Sequence, residues 1–279
     1  IYLIFKINQE IMTSFVFPGQ GSQTIGMAKD FHDNFKIAKL IFEEIEDYTK
    51  INLKKIIFDN ENNNLNLTQF TQISIFTASY AIYKTFCFEK GFENKNTNVM
   101  MGHSLGEYTA LACSNKISLR DCSLILKKRG ELMNNAVTPN ETGMAALIGK
   151  DSHTIQSIID KNNLKIEIAN DNSNIQIVIS GSIHEIKKNK EILINNGVKK
   201  FIILNVSAAF HSKFMIEAQE ELSKYIENIV FKKNNIKIIT NYDAGIYSDS
   251  FNIKNNLKNQ MANKVNWTQS IKRLEEIGE

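Results

Sequence analysis

Gly102-His-Ser104-Leu-Gly106 follows the apolar run Val99-Met-Met101 and opens a segment with helical apolar spacing. A serine between two glycines, where a strand turns into a helix, is a nucleophile elbow. The glycines allow a tight reversal that carries the hydroxyl out of the strand end, at the positive end of the helix. That pattern supports attack on an acyl carbon to give an acyl-serine. A serine hydroxyl is barely ionised at neutral pH, so it needs a base, and the chain offers five histidines. His32, His153 and His184 lie among polar residues in helical stretches and read as surface side chains. His103 adjoins Ser104, but neighbouring side chains point apart at such a turn, so it is assigned to supporting the loop. His211 follows Ser207-Ala-Ala-Phe210, where an extended run meets a new helix and a side chain can enter a cleft at strand ends. From the residues alone His211 is either that base or a structural histidine. A second feature, Pro18-Gly-Gln-Gly-Ser-Gln23, is a glycine-rich turn whose amides are free to point at a ligand.

The elements that must position these groups alternate between strand and helix. A strand over 13–17 leads into the glycine turn. Helical spacing covers 34–48 and 68–90, with Thr68 as a cap and Gly91 as the end of the second. The strand at 98–102 feeds the elbow, and helices follow over 105–114 and 118–136, the latter opened by Ser118 with Asp121 in a capping-box pattern. From Gly143 the rhythm becomes strand 144–148, helix 151–161, strands 165–169 and 175–180, helix 182–196 and strand 199–204. That βαββαβ order is the split arrangement of a ferredoxin-like module. The chain therefore reads as a large α/β-hydrolase-like domain over 12–141 and 206–279, interrupted by a small ferredoxin-like α+β subdomain over 142–205. Helix 212–227, strand 236–240 and helices near 252–262 and 267–277 complete the large part.

Composition narrows the classes. A chain of 279 residues can bury a full core. A net charge of +3, with lysines such as Lys127/Lys128 and Lys187/Lys188 scattered among acids and asparagines, gives no nucleic-acid footprint. No stretch approaches the roughly 18 apolar residues of a membrane span, so no membrane partner is expected. Cys87, Cys113 and Cys122 form no metal-ligand spacing and read as core thiols of a reducing compartment. Residues 1–11 lack a secretory apolar region with a cleavage site, so no export signal is read and a cytoplasmic location is expected, with an organellar one as the alternative. Met12 reads as a natural first residue and 1–11 as an extension.

Taken together, Pro18-Gly-Gln-Gly-Ser-Gln23, Gly102-His-Ser-Leu-Gly106, Arg129, Ser207-Ala-Ala-Phe-His-Ser212 and Asn259-Gln260…Trp267 resemble the malonyl-CoA:acyl carrier protein transacylases in order and spacing. The resemblance spans about 13–279. It includes Ala169-Asn-Asp-Asn172 and Gln176-Ile-Val-Ile-Ser-Gly181, which are similar to the family's small-domain strands. It implies Ser104 as nucleophile and His211 as the base that later returns the proton. The amides of Gln20 and Leu105 would receive the oxyanion, and a Gln260 oxygen would orient the histidine in place of the acid of a Ser-His-Asp triad. Arg129 would bind the malonyl carboxylate through its guanidinium fork. Phe210 agrees with an unbranched malonyl group, since relatives that accept a methyl branch carry a small residue there.

The implied reaction is ping-pong, from malonyl-CoA to the phosphopantetheine thiol of acyl carrier protein in fatty acid biosynthesis, with no metal or other cofactor. The carrier protein is usually acidic, so a basic rim from the insert and from helix 118–136 is expected beside the cleft. The chain stops at Ile277-Gly-Glu279, whereas the family continues through a glycine-proline-glycine turn, a strand and a helix, so a fragment with an uncovered sheet edge is an expectation here. Two alternatives stand beside this: a serine esterase or thioesterase, which would place an acid between elbow and histidine and has no use for Arg129, and a non-catalytic carrier-binding module.

Overall fold

The computed structural model describes residues 13–138 and 140–278. The expected Met12 start and the 1–11 extension lie outside them. β1 (Thr13–Phe17) runs through the glycine turn to two helices, α1 (Lys29–Asn34) and α2 (Lys36–Thr49), where one helix over 34–48 is predicted. Two helical turns, Lys55–Asp59 and Glu61–Asn66, precede α3 (Thr68–Lys90). Then come β2 (Thr97–Gly102), α4 (Leu105–Cys113) and α5 (Leu119–Asn135). The segment that follows holds β3 (Thr142–Ile148), α6 (Ser152–Lys161), β4 (Ile166–Ser173), β5 (Gln176–Ser182), α7 (Ile183–Lys188), α8 (Lys190–Asn195) and β6 (Lys200–Ile203). The chain closes with α9 (Ile216–Glu227), β7 (Lys237–Ile239), β8 (Ile246–Tyr247), α10 (Ser250–Asn259) and α11 (Trp267–Glu276).

Two four-stranded sheets result, ordered β1-β2-β7-β8 and β4-β5-β3-β6. In the first, β1 and β7 flank β2 in parallel and β8 adds an antiparallel edge. A parallel strand covered on both faces should be apolar, and β2 is so over Val99–Met101, after the polar Thr97 and Asn98 at its start. Met100 joins the main core, while Val99 and Met101 turn to the opposite face, where Ile239, Trp267, Ile271 and Leu274 cover them. The second sheet is antiparallel throughout and alternates by face. Ala145, Leu147, Ile168, Ile177 and Ile179 pack with the residues of α6, α7 and α8, whereas Met144, Ala146, Ala169 and Val178 turn back onto the main core. Main-chain bonds join the sheets' neighbourhoods: Val265 N donates to Ala169 O and Asp171 N donates to Val265 O.

Helix ends follow local chemistry. Ser118 caps α5 by accepting from Asp121 N, and its hydroxyl donates to the Asp121 carboxylate. Gly91 ends α3 in the left-handed conformation at φ 59°. Other expectations need correction. Leu67, not Thr68, is the N-cap of α3, and the Thr68 hydroxyl instead meets Ser207 Oγ at 3.0 Å. The predicted helix 182–196 breaks at Asn189, and the one at 212–227 starts with a tight turn over Lys213–Met215 before α9. β4 runs on to Ser173 because its far end pairs with β5. His32 is half-buried against the rings of Phe42 and Phe58, while His153 and His184 are exposed. Cys113 and Cys122 are buried and Cys87 is half-buried, all three as free thiols.

Candidate active site

The elbow is built from backbone contacts that exclude side chains. A Cβ on Gly102 would lie 2.1 Å from the Gly106 carbonyl, and one on Gly106 would lie 2.5 Å from Phe17 O. A Cβ on Gly19 would meet His103 O at 2.6 Å, so the glycine turn presses directly on the elbow. Between them Ser104 is held at φ 52°, a region that non-glycine residues avoid. The side chain of Asn241, just past β7, clamps this turn from outside. Its Oδ1 accepts from Ser104 N at 2.6 Å and its Nδ2 donates to Gly102 O at 2.8 Å, so two backbone groups left unpaired by the reversal are satisfied.

Ser104 Oγ lies 2.9 Å from His211 Nε2. His211, itself at φ 54°, turns Nδ1 to the main-chain carbonyls of Gln260 (3.0 Å) and Asn263 (3.1 Å). Both partners are pure acceptors, so the Nδ1 proton is fixed there and the Nε2 lone pair faces the serine. Burial, and then the charge of Arg129, push His211 down to about 3, which keeps the ring neutral. No carboxylate faces Nδ1 among the described residues, unlike the arrangement required by the esterase alternative.

Arg129 reaches the same point from α5. Gly130 lets α5 approach α3 until a Cβ there would lie 3.0 Å from Gln69 Cα, which lays Arg129 against Gln72. Its Nη1 donates to Gln72 Oε1 at 2.6 Å, and its Nη2 donates to Ser104 Oγ at 3.0 Å and to Gln260 Oε1 at 2.9 Å. The guanidinium is fully buried, lies over the Tyr108 ring at 5.3 Å, and forms no ion pair among the described residues. Burial lowers its pKa, but an arginine so far from neutrality stays charged. A buried cation held by neutral oxygens beside Ser104 is poised to receive an anion.

Leu105 N–H, at the first position of α4, has no helical carbonyl to bond, and Gln20 sits in the glycine turn that packs on the elbow through Gly19. A cleft of about 400 Å³ opens there, lined by Gly19, Gln20, Gly21, Ser22, His103, Asn172, Gln176 and Trp267. His103 Nε2 meets Asn172 Oδ1 at 2.9 Å and its ring abuts Trp267. Phe210 is buried beside His211, its carbonyl accepting from Ser180 Oγ at 2.6 Å. A larger hollow of about 590 Å³ lies at Lys233–Asn235 and Ser248–Phe251, lined by none of these residues.

The structure thus brings Ser104, His211, Arg129 and Gln260 into one bonded cluster, with Gln20, Leu105, His103 and Phe210 at its border. The Gln260 oxygen that meets His211 is the main-chain one; its side chain serves Arg129. Gln72, Glu107 and Asn241 were not singled out from sequence. Glu107 directly follows the elbow motif and could have been found there, whereas nothing local marks Gln72 or Asn241. No cluster of three or more His, Cys, Asp or Glu side chains able to hold a metal occurs among the described residues.

Residues 14–277 match the acyl transferase domain family, and the chain belongs to that family. Relatives that it matches along most of their length include malonyl CoA-acyl carrier protein transacylases. That of Bacillus subtilis is 36% identical over 265 residues, covering 94% of this chain and 82% of the relative. The Coxiella burnetii transacylase structure superposes with a TM-score of 0.89 at 32% identity, covering 95% of this chain and 84% of that one. A malonyl-transacylase solved in complex with a type II polyketide synthase acyl-carrier protein gives 0.89 at 31% identity, covering 95% and 85%. The mixed α/β fold of this chain is the fold of those enzymes.

Gly102→Ala should cost several kcal/mol of stability, because the added methyl must displace α4 from the elbow. A denaturant midpoint unchanged from the parent would show that the elbow has room to relax.

Proposed function

We propose that the chain transfers the malonyl group of malonyl-CoA to the phosphopantetheine thiol of an acyl carrier protein, through an acyl-enzyme on Ser104. The observation that carries this reading is the convergence of Arg129, as an unneutralised buried cation, and His211, as a neutral base, on one serine oxygen. A hydrolase of simple esters needs the base and not the cation.

His211 Nε2 takes the Ser104 proton as Oγ attacks the thioester carbonyl. The tetrahedral oxygen is received by the amides of Gln20 and Leu105, each such donor being worth roughly 10²–10³ in rate. Collapse breaks the C–S bond, and His211 returns the proton to the coenzyme A sulfur. The carrier thiol then gives its proton to His211, attacks the acyl-serine, and the proton passes to Ser104 Oγ as the C–O bond breaks. Arg129 holds the malonyl carboxylate, exchanging its bond to the serine for one to the substrate. Side chains, two amides and the two substrates account for every step, so no further cofactor is assigned.

His103 supports the cleft wall with Asn172 and Trp267, and buried Phe210 favours an unbranched acyl group. The architecture supports a division into a hydrolase-like catalytic part, 12–141 with 206–279, and a ferredoxin-like insert, 142–205. The insert's strand order β4-β5-β3-β6 is that of a split βαβ module. The 400 Å³ cleft, walled by Gly19–Ser22 on one side and Asn172 and Gln176 on the other, is the assigned path of the thioester arm. No helix among the described residues is long and apolar enough to cross a membrane, in keeping with a cytoplasmic role in fatty acid or polyketide synthesis.

Intact mass after mixing with malonyl-CoA tests the reading. A malonyl adduct that is absent in Ser104→Ala and passes to a phosphopantetheinylated carrier is expected; a folded chain that takes no adduct overturns it. Arg129→Ala should lower malonyl loading about ten- to a hundredfold while leaving acetyl loading intact. Equal loss of both acyl groups would remove the carboxylate role. Since His211 protonates only at about 3, single-turnover acylation should hold its rate from pH 7.5 to 5.5, where a histidine near 6.5 would lose roughly nine-tenths of its neutral form. A falling limb centred near 6.5 would show an ordinary histidine.

A further inference from the structure

Among the described residues Glu107 is the only buried Asp or Glu, and the mechanism above gives it no task. It stands three residues after Ser104 at the start of α4, the place from which a capping-box glutamate reaches back to the N-cap amide. It does not do so, because Asn241 Oδ1 already holds Ser104 N–H. The carboxyl instead turns inward, where Oε2 accepts from Gln260 Nε2 at 2.8 Å and from Asn241 N at 3.0 Å. Oε1 has no partner.

The consequence falls on Gln260. Its Nε2 has two protons and two acceptors, Glu107 Oε2 and Ser104 O at 2.9 Å. With both protons committed, Oε1 can only face Arg129 Nη2, at 2.9 Å. A flipped amide would set NH2 against the guanidinium and turn its oxygen against the Ser104 carbonyl, two repulsions at a buried site. The geometry points to Glu107 as a positioning residue for substrate selection: it locks the Gln260 amide, and through that amide aims the Arg129 fork at the acyl carboxylate. This assignment rests on the proposed malonyl transfer. Burial pushes Glu107 up to about 7, against the pull of Gln260, Asn241 and Arg129. Neutral and ionised forms both keep Oε2 as an acceptor, the proton sitting on the unpartnered Oε1.

An acceptor rather than a charge is thus required, which separates the variants. Glu107→Leu removes the acceptor at similar size and should lower the malonyl-to-acetyl loading ratio about tenfold or more, acetyl loading falling much less, in single-turnover acylation followed by intact mass. Glu107→Gln, whose amide oxygen can replace Oε2, should recover most of that ratio. Where Glu107→Leu yields no folded protein, Glu107→Asp carries the test, since its carboxylate ends one bond short of Gln260 and should show the same selective loss. A parallel fall in both acyl groups, or an unchanged ratio in folded Glu107→Leu or Glu107→Asp, overturns the assignment. Failure of Glu107→Gln to recover the ratio shown lost in Glu107→Leu overturns it too, by making charge the operative property. The parent chain run alongside keeps the two claims apart, for a parent that forms no malonyl-serine sinks the functional reading itself.

Discussion

Everything at this centre depends on a backbone reversal too tight for side chains. Gly102 and Gly106 touch through their main chains, Gly19 presses on His103 O, and Ser104 between them is held at a positive φ. Such a turn is strained, and it persists because its surroundings over-determine it. Asn241 pairs both of the peptide groups that the reversal strands. β1 and β7, on either side of β2, supply Phe17 O and the approach to Asn241, so the three parallel strands act together as the frame of one serine. The same reversal sets Ser104 at the N-cap of α4, beside the Leu105 amide proposed to receive the oxyanion.

The second condition is electrostatic. Burying an arginine without a carboxylate is costly, and here the cost is offset by three oxygens, from Gln72, Gln260 and Ser104, with the Tyr108 ring beneath. The positive charge also acts on its neighbour. His211 lies within its field and is buried as well, and the two effects together keep the imidazole neutral and able to accept. Burial first, and the neighbouring cation second, thus leave His211 unprotonated within reach of Ser104.

Much of this was legible in the sequence because it is written locally. Gly-x-Ser-x-Gly, the Pro18–Gln23 turn, the Ser118 cap and the Gly91 stop are patterns of adjacent residues whose geometry follows from their own chemistry. The βαββαβ rhythm of 142–205 is likewise visible as alternating apolar periods. What stayed hidden is made by distance in the chain. Asn241 follows a three-residue strand and looks like any loop asparagine until β7 lies beside β2. Gln72 sits on a helix buried on nearly every side, where no stripe distinguishes one face, and only the close approach at Gly130 picks it out. Thr68 misled for the same reason: a threonine before an apolar run is a good cap in isolation, but Ser207, 139 residues later, engages its hydroxyl. His32 misled through its polar neighbours, because Phe42 and Phe58 reach it from other turns.

The choice of amides over acids at Gln72 and Gln260 explains how one pocket can both hold a guanidinium and leave it useful. A carboxylate in either place would neutralise Arg129 and bind it with a strength that an incoming acid would have to match. A neutral oxygen holds the fork in place by direction, with its charge left largely unspent. That arrangement needs the amides to face the right way, since an amide offers a donor as readily as an acceptor. Gln260 has its orientation dictated by Ser104 O and Glu107, which places the only carboxyl buried among the described residues one side chain behind the cation instead of against it. From there it still biases the site's field towards holding Arg129 charged, yet it does not occupy the position where a substrate carboxylate would sit. On the proposed role of Arg129, selectivity for an acid-bearing acyl group would in this sense be a property of where the protein's own acid has been kept.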